Sequence, residues 1–332
     1  MLKELFANNP NIVINTDIDG FLSGMFLQKY YGCRIVGFSN SWDYVWLDSE
    51  YERQVGENAI YKPIYIDLYV VNPDVVCIEQ HIIGYDKKHN ALIGSMKTKI
   101  NPNLMLCDRT FTGDYFHKYP FGTIHFLIAM MEREGVHVQL PDLKSSPTDR
   151  MKKYDLRVGE IILRADDALF SSLGKYKPNT DKWWPLLYEK SGSSQSIKKL
   201  IDFVSNEDPA QKFKVKDRTG KYFHDEFNCD ISQESHGLNY SKVDGAYKNI
   251  LDESGNLKQE IKNYVNELKQ IFGMEMDLPL KYNIHAGTAR TMRYAEGGNK
   301  LFQENWKNLY SYAFIFGPNS DNKNFSYTVD MK

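Results

Sequence analysis

Short, almost wholly apolar runs recur along the first half of the chain, each followed by a stretch with helical character. Ile12–Asn15 reads as a strand, Gly20–Tyr31 as the helix after it, and Arg34–Phe38 as the next strand beyond Gly32. Ile64–Ile66, Val75–Ile78 and Leu104–Cys107 continue the series. Strands that are apolar on both faces need cover on both sides, and the intervening helices supply it. The pattern predicts an α/β fold whose N-terminal domain is a parallel sheet with helices on both faces. Polar residues at the carboxyl ends of such strands line the crevice where these folds bind ligands.

Further along, Phe121–Glu134 predicts a helix with Ile124, Leu127, Ile128 and Met131 on one face and Gly135 at its end. A second helix is expected from Val158 to about Ser172. The alternation of Lys212, Lys214 and Lys216 reads as one face of a strand. Asn206-Glu207-Asp208-Pro209 ends helical order, which puts a hinge near Ser205–Gln211. Beyond it, Leu257–Phe272 has helical spacing and Lys281–Ile284 reads as a strand. Tyr310–Phe316 pairs with Phe325–Val329 through the turn Gly317–Asn322. A chain of 332 residues suits two domains. The expected division is 1–204, an α/β domain with a helical extension, and 205–332, a smaller C-terminal α+β domain that binds substrate.

Charge and cysteine usage narrow the function classes. A net charge of −2 argues against a protein that coats polyanions through a large positive field. Cys33, Cys77, Cys107 and Cys229 show no C-x-x-C pair and no zinc spacing, which predicts free thiols. No apolar stretch approaches membrane-spanning length, and Met1-Leu2-Lys3-Glu4-Leu5 lacks the apolar region of a secretory signal. The expectation is a cytosolic protein with no membrane partner.

The chemistry is concentrated at Asp17-Ile18-Asp19-Gly20, where a strand ends and a helix begins. Two carboxylates spaced i, i+2 on a short loop suit a hard divalent cation. They also suit a helix cap and a turn. An EF-hand loop starting at Asn15 needs Glu at its twelfth position and has Phe26 there, which excludes it. A haloacid-dehalogenase-like phosphatase, with Asp17 as nucleophile and Asp19 as acid/base, usually continues with a small or β-branched residue. Phe21 stands there instead.

Two later features accompany this loop. Pro63-Ile64-Tyr65-Ile66-Asp67 is an apolar run ending in Asp, and Val75-Val76-Cys77-Ile78 runs into Glu79-Gln80-His81. Leu163-Arg164-Ala165-Asp166-Asp167 follows in the helical segment. In order and spacing these pieces resemble the motifs of the DHH phosphoesterase superfamily, which includes RecJ-like exonucleases, oligoribonucleases and cyclic-dinucleotide phosphodiesterases. The resemblance implies that Asp17, Asp19, Asp67 and Asp166 (or Asp167) hold Mn²⁺ or Mg²⁺, with Asp67 as the bridge. It makes His81 the group that bonds the phosphate or protonates the leaving oxygen, beside Asp17 and Asp19.

The same resemblance makes His285, Arg290 and Arg293 substrate-binding residues in the C-terminal domain. The substrate it implies is a nucleotide or a short single-stranded oligonucleotide. Two departures bear on turnover: Val13 and Gln80 stand where the family has metal-binding His residues. The remaining set is all oxygen and predicts weakly held metal. His89 is a candidate replacement ligand, and His125 a candidate core His. Three readings result: a metal-dependent phosphodiesterase, a nucleotide-binding protein that has lost hydrolysis, and the phosphatase.

Overall fold

The computed structural model describes residues 1–230, 239–316 and 323–332. It is a mixed α/β protein with one seven-stranded, mostly parallel sheet and a smaller antiparallel sheet of three strands near the C-terminus. The strands are β1 (Asn11–Asn15), β2 (Arg34–Ser39), β3 (Tyr44–Asp48), β4 (Ile64–Ile66), β5 (Cys77–Ile78), β6 (Lys99–Ile100), β7 (Tyr282–Ala286), β8 (Thr288–Arg293), β9 (Ser311–Phe316) and β10 (Lys323–Val329). Their order is β6-β5-β4-β1-β2-β3-β7 in the large sheet and β8-β10-β9 in the small one.

The parallel section follows the apolar runs. Ile12 pairs with Ile64 and Ile14 with Ile66, then Ile66 with Ile78 and Ile78 with Ile100. Its β-branched side chains are buried, as expected of strands covered on both faces. The antiparallel pair β9 and β10 forms where Tyr310–Phe316 and Phe325–Val329 predict it. The turn expected at Gly317–Asn322 lies outside the described residues.

The chain forms two compact units, neither continuous in sequence. Residues 1–10, 16–35 and 120–280 make the first, which is helical. Residues 11–15, 36–119 and 281–332 make the second, which carries the sheets. The segment Ser205–Gln211, where the sequence suggests a hinge, falls inside the first unit.

Four local expectations need correction. Leu104–Cys107 is not a strand: Asn101 caps a short helix at Pro102–Met105 by accepting from Asn103 N, and Pro102 occupies its first position. The sixth strand is Lys99–Ile100 instead. β3 and its antiparallel partner β7 extend the sheet in a way the parallel rhythm does not predict. Lys212–Lys216 belongs to the helix Lys212–Phe227, whose buried residues Val215, Thr219, Tyr222 and Phe223 recur at helical spacing. The five-residue Lys alternation was too short a window to decide the period. The helix expected from Val158 to Ser172 is broken into Val158–Ile162 and Ala168–Leu173, because Asp166 and Asp167 both take left-handed backbone angles.

Candidate functional site

In the first unit, Asp17 and Asp19 follow β1 and open the helix Ile18–Tyr31. Asp17 is its N-cap: extended at φ −108° and ψ 177°, it accepts from Gly20 N at 2.9 Å. Asp19, only 3% exposed, serves a different helix. Its Oδ2 accepts from Thr123 N at 2.6 Å and its Oδ1 from Ile124 N at 2.8 Å. These are the first amides of the helix Thr123–Arg133, whose N-cap residue is Gly122 and has no side chain to offer.

A carboxylate held 104 residues away in sequence therefore satisfies orphan donors and complements the positive end of that helix. A Cβ on Gly122 would stand 2.7 Å from Asp19 Oδ2 and 2.8 Å from the Ala165 Cβ, so only glycine permits this approach. His125 completes the junction by accepting from Gly122 N through Nδ1 at 3.0 Å. Burial pushes its pKa down to about 4, so the ring stays neutral and fit to accept.

Asp166 and Asp167 sit in the same unit with φ of 49° and 54°. Two successive non-glycine residues in the left-handed region are costly, and such strain persists where surrounding contacts impose it. Asp167 supplies those contacts by pairing with both Arg164 and Lys216. Arg164, 5% exposed, also donates from Nη2 to Ser241 O (3.0 Å) and Val243 O (2.9 Å). Burial lowers its pKa to about 10. Burial first, and Arg164 second, lower that of Lys216 to about 8. Asp166 itself is exposed.

One charged residue of this unit escaped the sequence reading. Asp244 shows surface to solvent, yet its carboxyl is ringed by protein: desolvation raises its pKa, with Arg164 and two backbone N–H groups pulling the other way. Its loop lies beside the start of the Ile18 helix, since Tyr247 N donates to Thr16 O (3.0 Å) and Thr16 Oγ1 to Tyr247 O (2.7 Å). Gly245 turns that loop at φ +79°, with Tyr264 Oη 2.8 Å from where a Cβ would be. The readable signal was the dipeptide Asp244-Gly245, a turn former that also places a carboxylate. Asp17, Asp166, Asp167, Asp244, Arg164 and Lys216 thus belong to one unit, with Arg164 buried and Asp166 and Asp244 at the surface.

The remaining predicted residues belong to the second unit. Asp67 ends β4 at φ 58°, is buried, and accepts from Asn15 Nδ2 at 2.9 Å. Glu79-Gln80-His81 is a turn held by two asparagines. Asn101 Nδ2 donates to the buried Glu79 carboxylate and, at 2.7 Å, to His81 O; Asn103 Nδ2 donates to Gln80 O at 2.7 Å. The His81 side chain is 47% exposed, with Nδ1 3.5 Å from Glu79 Oε2 and Nε2 3.2 Å from Gln80 Nε2. When the Gln80 amide donates to Nε2, the ring proton sits on Nδ1, facing Glu79. His89 is packed edge-on against Phe302 and Trp306, accepts from Tyr85 N, and is pushed down to about 4 by burial.

His285, Arg290 and Arg293 are divided between the two sheets. His285 lies on β7 with Nε2 3.2 Å from Glu52 Oε1. Arg290 and Arg293 lie on β8, where Arg293 pairs with the exposed Glu296 at 3.1 Å. Among the described residues, no group of three or more His, Cys, Asp and Glu side chains is arranged to hold a metal ion. No described helix is long and apolar enough to cross a membrane. Comparisons with protein-family models, with curated proteins and with solved structures give no match.

Proposed function

We propose that this chain is a DHH-like protein that recognises the phosphodiester of a cyclic nucleotide or short oligonucleotide and retains it rather than hydrolysing it. The observation that carries this reading is Asp19. Both of its oxygens accept backbone N–H groups of a helix N-terminus in a buried setting, so the second carboxylate of the strand-end loop is committed to structure. The donors present do not assemble a metal-binding group among the described residues. A Mg²⁺ or Mn²⁺ ion bound with the ligand would neutralise phosphate charge. Arg164 and Lys216 supply positive charge near Asp166 and Asp244.

A metal-dependent phosphodiesterase is the second reading, and one observation favours it. β4 lies beside β1 as a parallel strand, and Asp67 follows its carboxyl end, where open α/β sheets bind ligands. Incubation of the protein with Mn²⁺ or Mg²⁺ and a panel of mono-, cyclic and oligonucleotides, read by mass spectrometry, separates the two. Retention of intact ligand supports the first reading and product formation the second. Neither result with any panel member would overturn both.

A further inference from the structure

β7 ends the large sheet on its β3 side. Lys281 O accepts from Ser49 N at 3.1 Å and Gly287 N donates to Asp43 O at 2.8 Å, so odd-numbered residues turn their backbone groups toward β3. The alternation of an antiparallel ladder then turns those of Tyr282, Ile284 and Ala286 outward. Ala286 uses its pair: its N–H donates to Lys332 O (2.9 Å) and its O accepts from Lys332 N (3.2 Å). Among the described residues, Tyr282 and Ile284 have no such partner, and the Ile284 side chain is 56% exposed. Native sheets usually blunt an edge by shortness, proline or a bulge. The opposite edge, β6, is two residues long; β7 spans five, without proline.

Beside β7 runs a groove of about 490 Å³, lined by Glu52, Glu57, Asn58, Asn283, His285 and Lys332. Two of its residues are tied to one carboxylate: Asn283 Nδ2 donates to Glu52 Oε2 at 3.0 Å, and His285 Nε2 lies 3.2 Å from Glu52 Oε1. Arg53, which also lines the groove, is paired with Glu50 at 2.6 Å, so Glu52 and Glu57 outnumber Lys332 there.

From this geometry we infer that β7 accepts an extended peptide segment with basic side chains at alternate positions, added as a further strand. A residue opposite Ile284 exchanges both outward backbone bonds. Its neighbours opposite Asn283 and His285 turn their side chains to the face that carries Glu52 and Glu57. Lys332 already displays both parts of this mode, since it makes the mutual backbone pair with Ala286 and lines the groove. The inference does not depend on the nucleotide reading.

The test is fluorescence anisotropy of the full chain with a labelled peptide alternating valine and lysine, against its valine–glutamate counterpart. The basic peptide should bind saturably and at least about tenfold more tightly than the acidic one. Ile284→Pro removes an outward N–H that no described residue bonds, and should reduce binding by about tenfold or more. Should that variant misfold, N-methylation of the peptide at the residues facing β7 tests the same bonds from the ligand side. Glu52→Gln should narrow the preference for the basic peptide. Equal affinity for both peptides, indifference to N-methylation, or no saturable binding up to about 1 mM overturns the inference.

Discussion

Replacing the buried Asp19 with Ala should destabilise the protein strongly. The carboxylate accepts two N–H groups at 2.6 and 2.8 Å from a helix that has glycine at its N-cap. Loss of a capping side chain costs about 1–2 kcal/mol. Each buried donor left without its acceptor costs about 1–3 kcal/mol, and the helix dipole adds up to about 2 kcal/mol in a buried setting. These terms overlap, so a total of about 3–5 kcal/mol is the working figure, and Asp19→Asn, which keeps one acceptor oxygen, should cost about half of it.

At about 2–4 °C per kcal/mol, Asp19→Ala should lower Tm by roughly 6–20 °C. Gly122→Ala should approach the same loss by a different route, because its Cβ would stand 2.7 Å from Asp19 Oδ2 and drive the carboxylate off the amides. The double variant should then be scarcely worse than Asp19→Ala alone, a strong departure from additivity. Thermal and urea melts of the four proteins measure this directly. A loss below about 0.5 kcal/mol for Asp19→Ala, or additive effects in the cycle, would refute the capping role and return Asp19 to the pool of metal ligands.

The other charged positions give sharper contrasts. Asp167→Ala should cost about 3–5 kcal/mol by leaving Arg164 and Lys216 without their shared carboxylate, whereas Asp166→Gly should be neutral or stabilising by up to about 1 kcal/mol, since glycine tolerates φ 49°. Equal effects in urea melts would contradict the assignment. His125 has its pKa lowered to about 4 from an ordinary 6.5, so the unfolded chain binds more protons between those values. Stability from this group is therefore complete above pH 6.5 and is lost as pH falls toward 4, by about 3 kcal/mol in all. His125→Gln keeps an acceptor for Gly122 N and should flatten that part of the stability curve; an unchanged slope would mean that other groups set it.

The parallel section of the sheet was legible because burial on both faces leaves its strands no choice but apolar, β-branched residues, and Ile12–Ile14 and Ile64–Ile66 carry that signature. β3 was not, because Tyr44–Asp48 mixes a half-exposed Tyr44 with Trp46 and is fixed by partners on β2 and β7 far from it in sequence. Lys212–Phe227 was misread for a related reason. A short alternation of lysines says which residues face water, and only the buried set across four turns fixes the period. At the candidate site, the cap at Asp17 was local and readable. The bond from Asp19 to Thr123 and Ile124 joins segments 104 and 105 residues apart, and nothing near Asp19 announces it.

That long-range bond changes what the Asp-x-Asp-Gly loop means, and Val13 provides the decisive test. In the DHH superfamily a metal-binding His stands four residues before the first Asp, so Val13→His with Gln80→His would restore the expected ligands if the crevice differed only in its metal shell. Val13 is fully buried and belongs to the same core cluster as Val36, Tyr65 and Cys77. Gln80 is buried as well, with its carbonyl oxygen bonded by Asn103. An imidazole at position 13 would replace a well-packed aliphatic group with a larger polar ring among apolar neighbours. Overpacking costs about 1–3 kcal/mol, and an unsatisfied ring nitrogen costs a similar amount again. The double variant should therefore lose stability by about 2–5 kcal/mol without gaining tight Mn²⁺ binding by calorimetry. Retained stability with a new high-affinity Mn²⁺ site would show that position 13 still opens onto a metal crevice. The core around β1 argues the opposite: here the strand has been filled as a core strand, and the carboxylates that follow it cap helices.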